Sequence, residues 1–153
     1  MASNRHLGRI IALQTLYEVE FRAAAQKEAV DFDEVYGRNL ERYAKTVKDQ
    51  AFVKRLVYGT YEKRAELDAL IQPIAPEWPL DQIARIDLAI LELALYELTE
   101  MNDVVPPKVV INEAVELAKA FGSDNSSRFI NGVLGTAFRT LIKDTDSHAD
   151  TKV

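Results

Sequence analysis

The chain has 153 residues, of which 48% are apolar and 28% charged, and a net charge of −5. That length suits one domain with a substantial core. No apolar run reaches the roughly 18–20 residues of a membrane helix, and the absence of cysteine excludes disulfides, thiol nucleophiles and thiolate metal sites. The acidic balance argues against indiscriminate binding to polyanions. The N-terminus carries arginines but no secretory apolar segment, so a cytoplasmic location with no membrane partner is expected.

The first helix is expected over about Arg5–Ala25, with Ser3 or Asn4 as its N-cap. Its apolar residues Leu7, Ile10, Ile11, Leu13, Leu16 and Val19 are too widely spread for a surface helix, which places it inside a bundle. Arg5 and Arg9 are four apart and share a face. Together with His6 they make one basic corner, since the first acid is Glu18. Such a corner can hold a short nucleic-acid segment or be a plain solvated face. Gln14 is either a satisfied core amide or a contact to a partner.

A second helix is expected from Asp33 to about Thr46, with Val35, Tyr36, Leu40 and Tyr43 as its apolar side. Asp49 then caps a third that runs to about Ile71, before Pro73, Pro76 and Pro79. The single tryptophan, Trp78, sits between these prolines and is expected to cover the end of the core. Asp81 is expected to cap a fourth helix, about Leu80–Glu100, whose dense apolar content makes it central.

Pro106 and Pro107 cannot continue that helix and leave Lys108 to open the next. Val110, Ile111, Ala114, Val115, Leu117, Ala118 and Phe121 recur at helical spacing. Gly122 stands where a left-handed cap is wanted. The run Ser123–Ser127 suits a turn and an N-cap, and Phe129, Val133, Leu134, Ala137, Phe138 and Leu141 form the stripe of the last helix. Residues 144–153 are polar and are expected to be a flexible tail, leaving 1–143 as a single domain. No strand pattern competes, so the fold class is an all-α bundle.

Catalytic material is sparse. The two histidines, His6 and His148, cannot build a triad or a zinc site, and no Glu-x-x-His pair or phosphate loop occurs. No catalytic residue, metal or cofactor is expected. The loop before the last helix is the remaining candidate surface. Helix N-terminal N–H groups favour an anion, Arg128 adds a cation, and Asn125, Ser126 and Ser127 can reach phosphates or base edges. Phe129 either stacks on a base or belongs to the core.

Three segments carry a resemblance. These are Arg5-His6-x-x-Arg9-x-x-Ala12-Leu13-Gln14-x-Leu16-Tyr17, Ile86-Asp87-x-x-Ile90-Leu91-x-Leu93-Ala94-x-Tyr96-Glu97-Leu98, and Ile111-Asn112-Glu113-Ala114 followed by Phe121-Gly122 and Arg128-Phe129-Ile130-Asn131-Gly132-Val133-Leu134. Together they resemble the NusB family of bacterial transcription antitermination factors, over residues 5–142. The resemblance implies six to seven helices in two packed subbundles. It implies a non-catalytic factor that binds the boxA element of ribosomal RNA leader transcripts together with NusE, a small-subunit ribosomal protein. Other Nus factors and RNA polymerase would be reached indirectly, and a homodimer is a further possibility.

Matched onto this sequence, Arg5, His6, Arg9, Asn125, Ser127, Arg128 and Phe129 would bind RNA. Tyr17, Asp81 and Asp87 would meet the protein partner. The family's opening helix often carries four arginines, whereas His6 and Leu7 occupy two of those positions here. Fewer phosphate contacts imply weaker binding alone and more reliance on NusE. A NusB-like segment also precedes the catalytic domain of some RNA cytosine methyltransferases; these 153 residues hold no strand-rich, glycine-bearing cofactor pattern, so they are not expected to methylate by themselves. A purely protein-binding adaptor is the third possibility.

Overall fold

Eleven of the sixteen residues of Arg85–Glu100 are buried, including every position from Ala89 to Leu98. A helix apolar on all sides must be enclosed on all sides, and other elements gather around this one. The computed structural model describes residues 2–26 and 29–142. Its described residues form seven α-helices and no strand: α1 Ala2–Gln26, α2 Phe32–Arg42, α3 Gln50–Glu62, α4 Arg64–Ile74, α5 Arg85–Glu100, α6 Pro107–Phe121 and α7 Ser126–Ala137. The expected tail, residues 144–153 with His148, lies outside the described residues. The chain divides after Glu62 into two compact units.

In the first unit α1 packs against α2 and α3. Ile11, Ala12, Leu13, Leu16 and Val19 are buried against Val35, Phe52, Val53, Leu56 and Val57 of the same unit. The polar pair inside this core is satisfied: Asn39 Nδ2 donates to Thr15 Oγ1 at 3.1 Å, and Thr15 donates to the Ile11 carbonyl at 2.8 Å. Helices α1 and α3 approach so closely that a Cβ on Gly8 would stand 2.7 Å from Val53 Cγ2.

In the second unit α5 packs against α4, α6 and α7, and α6 pairs with α7. Ile90, Leu91, Leu95, Ala118, Ile130 and Leu134 are fully enclosed. Lys63 Nζ donates to Glu100 Oε1 at 2.8 Å across this unit's surface.

Several boundaries depart from the sequence expectation. Helix α1 starts at Ala2, so Ser3 and Asn4 lie within it rather than capping it. Helix α2 starts one residue before Asp33 because Asp31 Oδ1 accepts the Glu34 N–H, and it ends at Arg42 in turns instead of reaching Thr46. The single helix expected from Asp49 to Ile71 is two. Asp49 does cap the first of them, its Oδ1 accepting from the Phe52 N–H, but the helix breaks at Lys63, with φ −101° and ψ 15°. No proline marks that break.

Asp81 caps nothing. It lies in a short 3₁₀ turn, Leu80–Gln82, and α5 begins four residues later after Ala84. Trp78 is 47% exposed and does not close the core, and Phe121 is 40% exposed rather than buried with its stripe.

Candidate nucleic-acid interface

Gly122 closes α6 in an extended conformation, φ −92° and ψ −169°, rather than in the expected left-handed one. Its requirement for glycine is steric. A Cβ there would lie 2.5 Å from the Ser126 side chain and 2.8 Å from the Ala118 carbonyl oxygen. That approach lets the chain fold back on itself at once. The Ser126 hydroxyl, 1% exposed, accepts the Ser123 N–H at 2.9 Å and lies 3.2 Å from the Ser123 hydroxyl. The cap position itself falls on Asn125, whose side chain makes no capping hydrogen bond. The α6–α7 turn is thus pinned by a buried serine, while Asn125 and Arg128 stay exposed at the start of α7 and Ser127 is half-buried.

Phe129 is half-buried one turn into α7. Its ring meets Trp78 edge to face, with centroids 6.1 Å apart and planes at 79°, a favoured aromatic geometry. A cleft opens on each side of this pair. The larger, about 470 Å³, is lined by Trp78, Ile83, Asp87, Ser123, Arg128 and Phe129, among others. The smaller, about 300 Å³, lies over Pro76, Glu77, Trp78 and Gly132, with Arg128 and Phe129 shared between the two. A Cβ on Gly132 would meet nothing within 4 Å, so glycine leaves open space at that rim.

Exposed polar groups, a helix N-terminus and two aromatic rings therefore converge on one face of the second unit. Phe129 is half-buried with its ring at the cleft wall, neither enclosed in the core nor wholly outside it. Trp78 and Asp87 as cleft walls escaped the sequence reading. Trp78 precedes Pro79, which favours an extended connector, but nothing local fixes where its ring goes.

The basic corner of the first unit is arranged differently. The Arg5 guanidinium lies 4.9 Å from the Phe52 ring centroid and that of Arg9 5.2 Å, both within cation–π range. The close approach at Gly8 brings α1 near enough to α3 for this. Arg9 is 2% exposed, whereas Arg5 and His6 are half-buried. Arg9 thus presents its charge from within the fold.

Elsewhere on this unit, Tyr17 and Phe21 stack at 6.0 Å with Phe21 51% exposed. Gln14 Oε1 is buried with no hydrogen-bond partner among the described residues, so it is not the satisfied core amide. Glu18 is bound by Arg38 and by Arg22. Burial alone would raise the Glu18 pKa, but the hydrogen bonds and charges of Arg38 and Arg22 outweigh it and hold the carboxyl below its usual 4.5.

Asp81 is exposed and Asp87 is 7% exposed. Among the described residues no group of three His, Asp or Glu side chains is placed to hold a metal, and no helix is long and apolar enough to cross a membrane.

Residues 6–139 match the model of the NusB family. The transcription antitermination protein NusB of Chloroflexus aggregans is 44% identical over 98% of this chain and 97% of its own. The solved structure of NusB from T. maritima superposes with a TM-score of 0.76 at 30% identity, covering 89% of this chain and 91% of that one. A structure of the antitermination factors NusB and NusE in complex with dsRNA contains a chain of the same fold, with a TM-score of 0.75 at 22% identity over 91% of this chain and 98% of that one. This chain belongs to the NusB family.

Proposed function

We propose that this protein is a transcription antitermination factor that acts by binding RNA, not by catalysis, and that its RNA is the boxA element of ribosomal RNA leader transcripts. Membership of the NusB family supports the reading, since the Chloroflexus relative bears that function in its name. The observation that carries it is the face built by Asn125, Arg128, Phe129 and Trp78. Recognition of single strands stacks bases on aromatic side chains and sets cations along the backbone, and both are present there. Residues 1–143 act as one RNA-binding domain, with Arg5, His6 and Arg9 as the second cluster of contacts.

NusE is the proposed protein partner, with Tyr17 and the exposed Asp81 as its proposed contacts. The exposed Phe21 ring stacked on Tyr17 favours a protein surface on α1. Other Nus factors and RNA polymerase are reached through this complex, in the cytoplasm.

A titration of labelled boxA-like RNA against a scrambled oligonucleotide, with and without NusE and at several salt concentrations, tests the reading. Preference for boxA, tightened by NusE, with a slope of about −0.7 per phosphate neutralised, is the expected result. Equal binding to both oligonucleotides with NusE present overturns it.

A further inference from the structure

We propose that the larger cleft is a base pocket selective for guanine, in which the buried Asp87 carboxylate receives the N–H edge of a base held against Trp78 and Phe129. The proposal deepens the RNA-binding reading above and rests on it.

Asp87 sits in the first turn of α5, is 7% exposed and lines the cleft. Its Oδ1 accepts no hydrogen bond from any described residue. A buried carboxylate oxygen without a donor is costly and needs a reason. The side chain lines the cleft, so a turn about the carboxylate's soft terminal torsion would offer that oxygen to a ligand there. An ionised carboxylate only accepts, so the ligand must donate, and two parallel donors satisfy both oxygens at once.

Among the bases, guanine alone presents two adjacent donors, its ring N–H and exocyclic amine, on one edge. Adenine and cytosine place a ring acceptor beside their amine, and uracil flanks its single N–H with carbonyls. Each would set a lone pair against the carboxylate.

The walls match a planar heterocycle. Trp78 and Phe129 supply ring faces and edges, Ile83 supplies an apolar side, and about 470 Å³ falls within the range of ligand pockets. A guanidinium of a partner protein would also offer two donors. The rim argues against it: exposed Arg128 and the N-terminus of α7 are positive there. They repel a cation and suit the phosphate that accompanies a base. Asp87 therefore belongs with the RNA contacts rather than with an exposed protein surface.

The test is fluorescence anisotropy with the whole chain and short boxA-like RNA in which each guanine in turn is replaced by adenine or by inosine, which lacks the exocyclic amine. One position is expected to lose about tenfold in affinity on change to adenine, about 1.4 kcal/mol, with inosine between. Asp87→Asn, near-isosteric and checked for folding by its thermal melt, is expected to reduce that discrimination to less than about twofold.

Uniform affinity at every position in the unaltered protein overturns the pocket without needing any variant, and so does discrimination that survives Asp87→Asn. If Asp87→Asn loses NusE while the guanine preference persists, the cleft takes a protein cation and the assignment falls, leaving the RNA role intact. If boxA-like and scrambled RNA bind equally, the RNA reading falls and the pocket with it.

Discussion

The two basic regions of this chain differ in how their charge is held. Arg5 and Arg9 lie over the ring of Phe52, and Arg9 is 2% exposed. Arg128 stands exposed at the start of a helix beside two aromatic rings and two clefts. In sequence the first region looks the stronger nucleic-acid site, because it holds more cations and no acid. Folded, it is in large part packing: an arginine stem and guanidinium bury apolar and aromatic surface as well as carrying charge. The second region has fewer charges but presents its polar groups outward on a turn that a buried serine ties by hydrogen bonds. Charge counted along a chain is not charge available at a surface.

The sharpest way to break this contrast is Phe129→Ala. Loss of one base–aromatic stack corresponds to about 1–3 kcal/mol, so the affinity for boxA-like RNA should fall by about 5- to 150-fold. An unchanged affinity would show that the exposed face is not the binding face.

Arg9→Ala and Arg128→Ala should part company. The first should cost about 1–3 kcal/mol of stability, as loss of a buried side chain does, and be seen in thermal melts. The second should leave stability within about 0.5 kcal/mol and make the slope of RNA affinity against salt shallower by about 0.7. The reverse pattern would exchange the roles of the two regions.

The glycines sharpen the same point within the second unit. Gly122→Ala forces a Cβ into Ser126 and the Ala118 carbonyl, and should destabilise by about 1–3 kcal/mol. Gly132→Ala meets open space on a helix and should be neutral or stabilise by up to about 1 kcal/mol. Paired melting curves decide this.

The smallest expected effects are in the first unit's surface network. The lowered pKa of Glu18 means that its pairing with Arg38 and Arg22 stabilises the fold above the ordinary value of 4.5 and is lost as pH falls through the folded pKa. Arg38→Ala should therefore destabilise the fold only slightly at neutral pH and still less in acid, as denaturation at two pH values would show. Tyr58, raised to about 12 by burial and by its hydrogen bond to Asp33, should form its phenolate later than an ordinary tyrosine in an absorbance titration. Because its folded pKa is raised, the stability it contributes is complete below pH 10 and fades toward 12.

Periodicity alone determined much of this protein. The all-α class, the enclosed character of α5, the start of α6 at the proline pair and the polar turn before α7 all follow from apolar spacing and backbone chemistry within a few residues of each position. Asp49 as a cap is likewise local, since its carboxylate reaches only three residues along the chain. Phe129 and Arg128 were legible as candidates because a helix start announces itself in sequence.

The tertiary structure decided what depends on distant neighbours. The break at Lys63 has no proline to announce it, and the burial of Arg9 depends on Phe52, forty-three positions away. The exposure of Trp78 depends on where the 3₁₀ turn after it directs the chain. Asp87 becomes a cleft floor only when α7 is laid across the start of α5. Gly122 was read as a cap by its type, but its reason is a contact with Ser126 across a turn. Local patterns fix which face of a helix is apolar; what that face meets, and which polar groups remain in reach of a ligand, is settled only when the helices pack.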